Sequence, residues 1–331
     1  MKVAFLVRSM EDSSSRYRAL QFVPFLKEKG VDVTVLSRQR RWRDKPKLYN
    51  TLDRFDIIVI FRKLFTPVEF WYIRRKARKI IYDLDDAVMH RSSGSTPSTS
   101  FSRWLRFSYM MKRVDAVIAG NEFLKSEVLR YNDRVVIIPT TIDLSRYPMK
   151  ESTDSKNHVT IGWMGSNSTL EYLKPIIPAI EKIYRKHPGV RFKIVCEKFL
   201  DNLNVPVIKK KWTSEEEEED LRSFDIGIMP LEDDLWSRGK CALKILQYYG
   251  VGLPVVCSPV GINREIVKDG VNGFWARDEK EWEEKLGLLI EDRDLRRQMG
   301  IQGRSTVEQD YSLEVNAPRL LSVMKEVVEK G

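Results

Sequence analysis

The chain is poor in the residues that hold metals or staple small folds. It has three histidines and three cysteines in 331 residues. Cys196, Cys241 and Cys257 are far apart and form no paired spacing, which argues against a disulfide framework and against a zinc site. Free thiols of this kind suit a reducing compartment, so a cytoplasmic location is expected. No run of 18 apolar residues occurs, so no segment is expected to span a bilayer. Met1–Arg8 is too short and too soon charged for a signal peptide and reads as a first buried strand. No G-x-G-x-x-G follows that strand, which makes a dinucleotide oxidoreductase a poor reading. No internal repeat is present.

What the chain does have is a usable core and an uneven charge. Apolar residues make up 42% of it, enough for two domains of ordinary size. The net charge is +10. Residues 1–150 carry 30 Lys and Arg against 16 Asp and Glu, whereas residues 151–331 carry 27 against 31. A basic first half attracts phosphates, either of nucleic acid or of the cytoplasmic membrane leaflet.

Apolar runs at Lys2–Val7, Val31–Leu36, Ile57–Phe61, Ile80–Leu84, Ala116–Ala119 and Val135–Ile138 alternate with helix-like segments such as Ser14–Lys29. The pattern restarts at His158–Met164 and continues through Val190–Cys196, Val205–Ile208, Ile226–Met229 and Val255–Cys257. Strands alternating with helices predict doubly wound parallel sheets. Arg146–Asn157 is polar and turn-rich, and reads as a linker. Ligands of such sheets sit at the carboxyl ends of the strands. That rule selects Arg8-Ser9, Arg62-Lys63, Asp83–His90, Gly120-Asn121 and Pro139–Asp143.

The stretch that organises the rest is Asp234–Gly261, D-L-W-S-R-G-K-C-A-L-K-I-L-Q-Y-Y-G-V-G-L-P-V-V-C-S-P-V-G. A polar loop with Trp236, Arg238, Gly239 and Lys240 leads into a helix expected over Cys241–Tyr249. Gly250–Pro254 breaks it before the strand Val255–Cys257. A glycine loop feeding a helix start turns free N–H groups toward one spot. Lys240 and Lys244, four apart, would share a face there and suit a diphosphate. Gly165-Ser166-Asn167-Ser168-Thr169, between a strand and a helix expected near Leu170, forms a second anion-ready turn.

This block resembles the donor segment of family-four retaining glycosyltransferases with the GT-B fold, usually E-G-F-G-x-P-x-x-E-A-M-A-x-G-x-P-V-V-A-S. It is most similar to a variant branch writing G-K-x-x-x-K-x-L-Q-Y-x-x-x-G-L-P-V-V. Gln247 stands in place of the glutamate that usually holds the nucleotide ribose. Gly239 stands in place of the glutamate that touches donor-sugar hydroxyls. S-x-R-Y-R at Ser14–Arg18, D-L-D-D at Asp83–Asp86 and G-W-M-G-S at Gly162–Ser166 resemble the same branch.

The resemblance implies an α/β chain of two facing Rossmann-like domains. An acceptor-binding domain would cover residues 1–148 plus a returning helix at 312–331, and a donor-binding domain residues 149–311. It implies metal-independent transfer of a sugar, with retention, from a nucleotide-diphosphate sugar to a saccharide or lipid-linked hydroxyl acceptor, with no further cofactor. Gly165, Ser166, Asn167, Gly239, Lys240, Lys244 and Gln247 would then hold the donor. Trp212 either borders the nucleobase or packs in the core. Arg16, Arg18, Arg62 and Asn121 would bind the acceptor, the first two as a phosphate clamp or simply as a surface helix start. Asp85, Asp86 or His90 would take or position the acceptor proton; for His90 a purely structural role stands beside this. Glu215–Glu219 reads as a solvated first helical turn.

Basic segments laced with aromatics at Arg38–Lys45, Trp71–Lys79 and Arg103–Phe107 fit peripheral docking on an anionic membrane. Two other readings remain. One is a nucleotide-sugar epimerase, which leaves the basic half unexplained. The other is a non-catalytic protein that kept the fold and binds nucleic acid or other anions, although no nucleic-acid motif is present.

Overall fold

A computed structural model describes residues 1–37, 45–150, 158–201 and 203–329. Arg38–Asp44, in the first of the basic segments above, lies outside the described residues, as does 151–157 of the expected linker. Within the described residues the chain divides into two compact units. The first comprises Met1–Thr141, Asp234–Cys241 and Leu313–Gly331, and the second Ile142–Asp233 and Ala242–Ser312. The second unit begins ahead of the boundary expected at residue 149, and the polar loop of the central block groups with the first unit.

The first unit holds β1 (Lys2–Val7), β2 (Asp32–Ser37), β3 (Ile57–Phe61), β4 (Lys79–Leu84), β5 (Ala116–Ala119) and β6 (Val135–Ile137). The second holds β7 (Val159–Met164), β8 (Val190–Val195), β9 (Val207–Lys210), β10 (Ile226–Met229), β11 (Val255–Cys257) and β12 (Gly273–Trp275). Among the described residues these form two six-stranded sheets, ordered β2-β1-β3-β4-β5-β6 and β12-β11-β10-β7-β8-β9. Every pairing between these strands is parallel. Both units are therefore Rossmann-like α/β sheets. The strand order reverses between β1 and β3 in one sheet and between β7 and β10 in the other. Such switch points open a crevice at the carboxyl ends of the strands.

The strands read as unbroken apolar runs because both faces of each sheet are covered. In β1, Ala4 and Leu6 enter one core with Phe70, Ile73, Phe107 and Met110. Val3, Phe5 and Val7 enter another with Phe22, Leu26, Ala317, Leu320 and Met324. The last three come from the helix Leu313–Glu329, so the end of the chain closes one face of the first sheet. Burying a side chain of the size of Leu320 or Met324 stabilises by about 1.5–3 kcal/mol.

Three expected elements differ. Ser14–Lys29 is not one helix but Ser13–Arg18, a 3-10 turn at Leu20–Phe22, and Val23–Glu28. Ala19 leaves helical geometry and Pro24 lacks the N–H that a continuous helix would use. The segment after β7 is a ten-residue 3-10 helix, Asn167–Ile176, containing Pro175, ahead of the helix Ile177–Lys186. Gly273–Trp275 forms β12, a strand beyond the expected apolar runs. The linker also shortens: Tyr147 is buried and belongs to the second unit.

Close approach fixes the second unit's helix Arg293–Thr306. A Cβ on Gly300 would stand 1.9 Å from the Gly252 carbonyl oxygen, and one on Gly303 2.3 Å from the Tyr249 ring. Gly300→Ala is therefore expected to destabilise by about 1–3 kcal/mol through overpacking against backbone that cannot rotate away. Equilibrium urea unfolding checks this, and an unchanged midpoint would show the contact to be loose.

Candidate functional site

In the first unit the site is built from the end of β4 outward. Asp83 is the penultimate residue of that strand and faces Arg18 on the helix Ser13–Arg18. Arg18 Nε donates to Asp83 Oδ1 at 2.9 Å and Nη2 to Oδ2 at 2.7 Å, while Nη1 donates to the Ile138 carbonyl at 2.9 Å. Both side chains are buried. Burial opposes the Arg18 charge, but attraction to Asp83 outweighs it and holds the guanidinium above its ordinary pKa. Burial pushes the Asp83 carboxyl up to about 6 against the pull of Arg18, so the pair stays ionised at neutral pH. Arg18 is thus spent on the protein. The expectation that it clamps an acceptor phosphate is corrected, because all three of its donating nitrogens are occupied.

Next along the sheet, Arg62 follows β3 with a left-handed φ of 58°. A non-glycine residue in that region costs about 1–3 kcal/mol and survives only where its surroundings hold it. Here its N–H donates to the Asp83 carbonyl at 2.9 Å. Its guanidinium donates to Ser14 Oγ at 2.9 Å, pairs with Asp86, and lies 3.9 Å from Asp85 Oδ1. Asp85 Oδ1 is itself buried and has no hydrogen-bond partner among the described residues. A carboxylate oxygen left this way marks a place where a ligand hydroxyl would be welcome.

His90 lies at the end of the same loop. Burial lowers its pKa, against Glu127, whose Oε2 is 3.9 Å from Nε2. The imidazole is therefore neutral at neutral pH and able to accept a proton.

Of these residues, Arg62 and Ser14 line a cavity of about 490 Å³, within the range of small-molecule sites, and Asp85 and Asp86 connect to it through Arg62. Its wall includes Val7 and Arg8 at the end of β1 and Phe61, Arg62 and Lys63 at the end of β3. It therefore occupies the switch point of the first sheet. Arg103, Arg106 and Trp236 complete the polar and aromatic wall. Arg16 is half-buried with its guanidinium 5.3 Å from the Tyr17 ring, and is not part of the cavity wall.

Trp236 arrives on Asp234–Cys241, and small residues let that loop settle. A Cβ on Gly239 would stand 2.5 Å from Ala87 Cβ, and one on Gly120 2.3 Å from Cys241 Sγ. Asn121 locks the arrangement. Its Oδ1 accepts from Leu124 N at 2.8 Å as a helix cap, and its Nδ2 donates to the Lys240 carbonyl at 3.0 Å. The acceptor role expected for Asn121 is thus corrected to a structural one. The Gly239 N–H donates to Trp236 O at 3.2 Å, so it is not a free anion-binding amide. Burial raises the Cys241 thiol, which makes it an unreactive packing group.

Lys240 does not share a helical face with Lys244. Ala242 takes a left-handed conformation, φ 51° and ψ 30°, and the helix starts only at Leu243. Lys240 sits in the first unit, 5.4 Å from the Trp236 ring centroid, and Lys244 in the second.

In the second unit, Lys244 Nζ lies 5.6 Å from the Trp163 ring centroid. A Cβ on Gly165 would meet that ring at 2.5 Å and Lys244 Cε at 2.8 Å. Gly165 and Lys244 therefore converge at the end of β7. The Gly165 N–H donates to Val195 O at 3.0 Å, whereas Ser166 is exposed and Asn167 donates to Glu197 Oε2 at 2.9 Å.

Gln247 belongs to a buried polar chain. Trp212 Nε1 donates to Glu217 Oε2 at 3.1 Å, Tyr147 Oη to Glu217 Oε1 at 3.2 Å, and Gln247 Nε2 to Tyr147 Oη at 3.4 Å. The acidic run is thus not wholly solvated, since Glu217 is 5% exposed and is held by these donors. Burial at helical spacing, on Glu217, Asp220 and Leu221, gives the run of glutamates one inward face that identical residues do not reveal. In the sequence Arg103 and Arg106 belong only to a basic aromatic stretch. Their spacing of three on one helix, Phe101–Met111, is the signal that places them together.

Residues 156–292 match the family model described as "Glycosyl transferases group 1". No curated protein matches the chain. Among solved structures, the chain resembles Anabaena HepE in complex with UDP-glucose, at 16% identity and TM-score 0.75, over 98% of this chain and 100% of that one. It also resembles sucrose-phosphate synthase from Thermosynechococcus elongatus, at 12% identity and TM-score 0.78, over the full length of both. A Listeria monocytogenes protein described as a candidate UDP-N-acetylglucosamine 2-epimerase gives 11% identity and TM-score 0.61, over 100% of this chain and 97% of that one. At these identities the shared property is the fold, which is that of GT-B proteins.

Because Arg18 and Asp83 are buried as a pair, Arg18→Ala is expected to cost about 3–5 kcal/mol by stranding the carboxylate. The double variant Arg18→Met, Asp83→Leu should recover much of that loss. Chemical denaturation of both proteins checks this, and a single-variant loss below about 1 kcal/mol would show the pair to be open in solution.

Proposed function

We propose that this protein is a glycosyltransferase that moves a sugar from a nucleotide-diphosphate sugar to a hydroxyl acceptor, with retention and without a metal. One observation carries the reading: the family match spans residues 156–292, which includes the β7 end and the helix Leu243–Gly250. In this reading the second unit holds the donor. Lys244 is placed to neutralise charge that builds on the departing diphosphate, the kind of stabilisation that dominates such reactions. Ser166 and Asn167 stand at the same strand end. The Trp212, Glu217, Tyr147 and Gln247 chain positions the Gln247 amide, which bonds a ribose hydroxyl where the family uses a carboxylate.

The first unit then takes the acceptor in its 490 Å³ cavity. Asp85, whose Oδ1 lacks a hydrogen-bond partner among the described residues, is the best-placed group to receive an acceptor hydroxyl. Neutral His90 is a second proton acceptor in the same loop. Asp86 is committed to Arg62 and acts by holding it. The uridine nucleotide bound by HepE makes UDP-sugars the first donors to test.

A panel of UDP-, GDP-, ADP- and TDP-sugars should raise the melting temperature for the true donor class, since a ligand bound only by the folded state stabilises it. Lys244→Ala should then weaken donor turnover by about 1–3 kcal/mol, the scale of a lost charge-assisted hydrogen bond. No shift with any nucleotide sugar, or unchanged kinetics in the variant, would remove the donor assignment.

We also place the acceptor at a membrane surface. Among the described residues no helix is long and apolar enough to cross a bilayer. The run β3, β4, β5, β6 moves one way across the sheet, so the helices Pro67–Lys76 and Phe101–Met111 lie on one face. They expose Val68, Trp71, Phe101, Trp104 and Leu105 beside Arg75, Lys112 and Arg113. Exposed aromatics ringed by cations suit the headgroup layer of anionic lipid. The protein should co-sediment with phosphatidylglycerol vesicles, and Trp71→Ser with Phe101→Ser should abolish this. Equal recovery with neutral vesicles would count against the docking.

A further inference from the structure

We infer that the cavity of the first unit takes an acceptor that carries an oxyanion, a phosphate monoester or a carboxylate, held by Arg106 and Arg103. This rests on the acceptor reading of the cavity given above and adds the chemical class. The argument is one of charge. Five cations line the cavity, Arg8, Arg62, Lys63, Arg103 and Arg106, against a single carboxylate, Asp12. Three of the five are engaged with carboxylates: Arg62 pairs with Asp86 and approaches Asp85, Arg8 approaches Asp12 at 3.6 Å, and Lys63 attracts the charge of Glu69.

The two arginines of the helix Phe101–Met111 are different. Arg103 donates to the backbone carbonyl of His90, which carries no formal charge. Arg106 is half-buried and has neither a hydrogen bond nor an ion pair among the described residues. Three residues apart on a helix, they present two planar donor forks to one wall. For the half-buried Arg106, an oxyanion of the ligand supplies the missing counterion through paired N–H groups, with the exposed Arg103 beside it.

The rest of the wall fits the body of such a molecule. Phe61, Leu64, Phe65 and Val88 are apolar and Trp236 offers an indole face, which suits the carbon face of a sugar ring. The volume accommodates a monosaccharide with one charged substituent. Arg62, held rigid by its left-handed backbone and its carboxylates, forms the side of the cavity nearest Asp85. The charged end of the ligand would therefore lie toward the helix and its hydroxyl toward the end of β4.

The test uses the intact protein without nucleotide. Isothermal titration with glucose 6-phosphate, glucuronate and glucose separates phosphate, carboxylate and neutral ligands, and inorganic phosphate reports on the anion alone. At least one charged probe should bind, glucose should not, and binding should weaken as salt is raised. Arg106→Gln should weaken the bound charged probe by tenfold or more, and Arg106→Lys should restore part of it. Lys182→Gln, which removes a charge far along the chain in the other unit, should leave it unchanged. Circular dichroism confirms that the variants are folded. Failure of every charged probe, equal binding of glucose, or undiminished binding by Arg106→Gln would overturn the inference. Nucleotide-sugar binding is read separately: a protein that binds the charged probe but no nucleotide sugar keeps this inference and loses the transfer reading, and the converse outcome does the opposite.

Discussion

The buried pair of Arg18 and Asp83 is the constraint on which the first unit's site depends. One guanidinium ties three pieces of chain: the helix Ser13–Arg18, the end of β4 and the backbone at Ile138. Two charges removed from water tolerate little movement, because loosening either leaves the other unpaired. Asp83 in turn offers its carbonyl to Arg62, whose left-handed backbone aims the guanidinium at Asp86 and Asp85. The order of dependence runs from a buried ion pair, through one strained residue, to Asp86 and Asp85. In the run Asp83-Leu84-Asp85-Asp86 the strand ends at Leu84, so Asp83 is buried within the sheet while Asp85 and Asp86, in the loop beyond it, are only partly buried.

The same economy appears where small residues stand. Gly120 and Gly239 leave room for the loop Asp234–Cys241 to lie against the ends of β4 and β5, and Asn121 fastens it. That loop carries Trp236 to the cavity. In the second unit, Gly165 does the comparable service for Trp163 and Lys244.

Much of the fold was legible in the sequence because parallel strands buried on both faces announce themselves as continuous apolar runs. Ile57–Phe61, Ala116–Ala119, Ile226–Met229 and Val255–Cys257 sit where those runs sit. Short elements at an edge, such as β12, carry too few residues to show a period. The helix break at Ala19 follows from Pro24 only once the register is known. Site residues were less legible, since residue type does not reveal a partner. An arginine suited to phosphate, Arg18, is equally suited to a buried aspartate, and the structure gives it the aspartate. Lys240 and Lys244 are four apart in sequence but are separated by Ala242, whose left-handed turn no periodicity predicts. The strand-end rule did better, because it depends on topology: Arg8, Arg62 and Lys63 line the cavity at the switch between β1 and β3.

The first unit is assembled from three stretches of chain, the last of which begins at Leu313. Until that stretch is synthesised, the sheet face bearing Val3, Phe5, Val7 and Ile57 lacks the cover that Ala317, Leu320 and Met324 give it. A ribosome-bound nascent chain therefore carries an open greasy surface through most of translation, and the domain that starts first cannot finish first. A stop codon shortly before Leu313 would therefore leave that face uncovered, even though it spares every residue of the cavity.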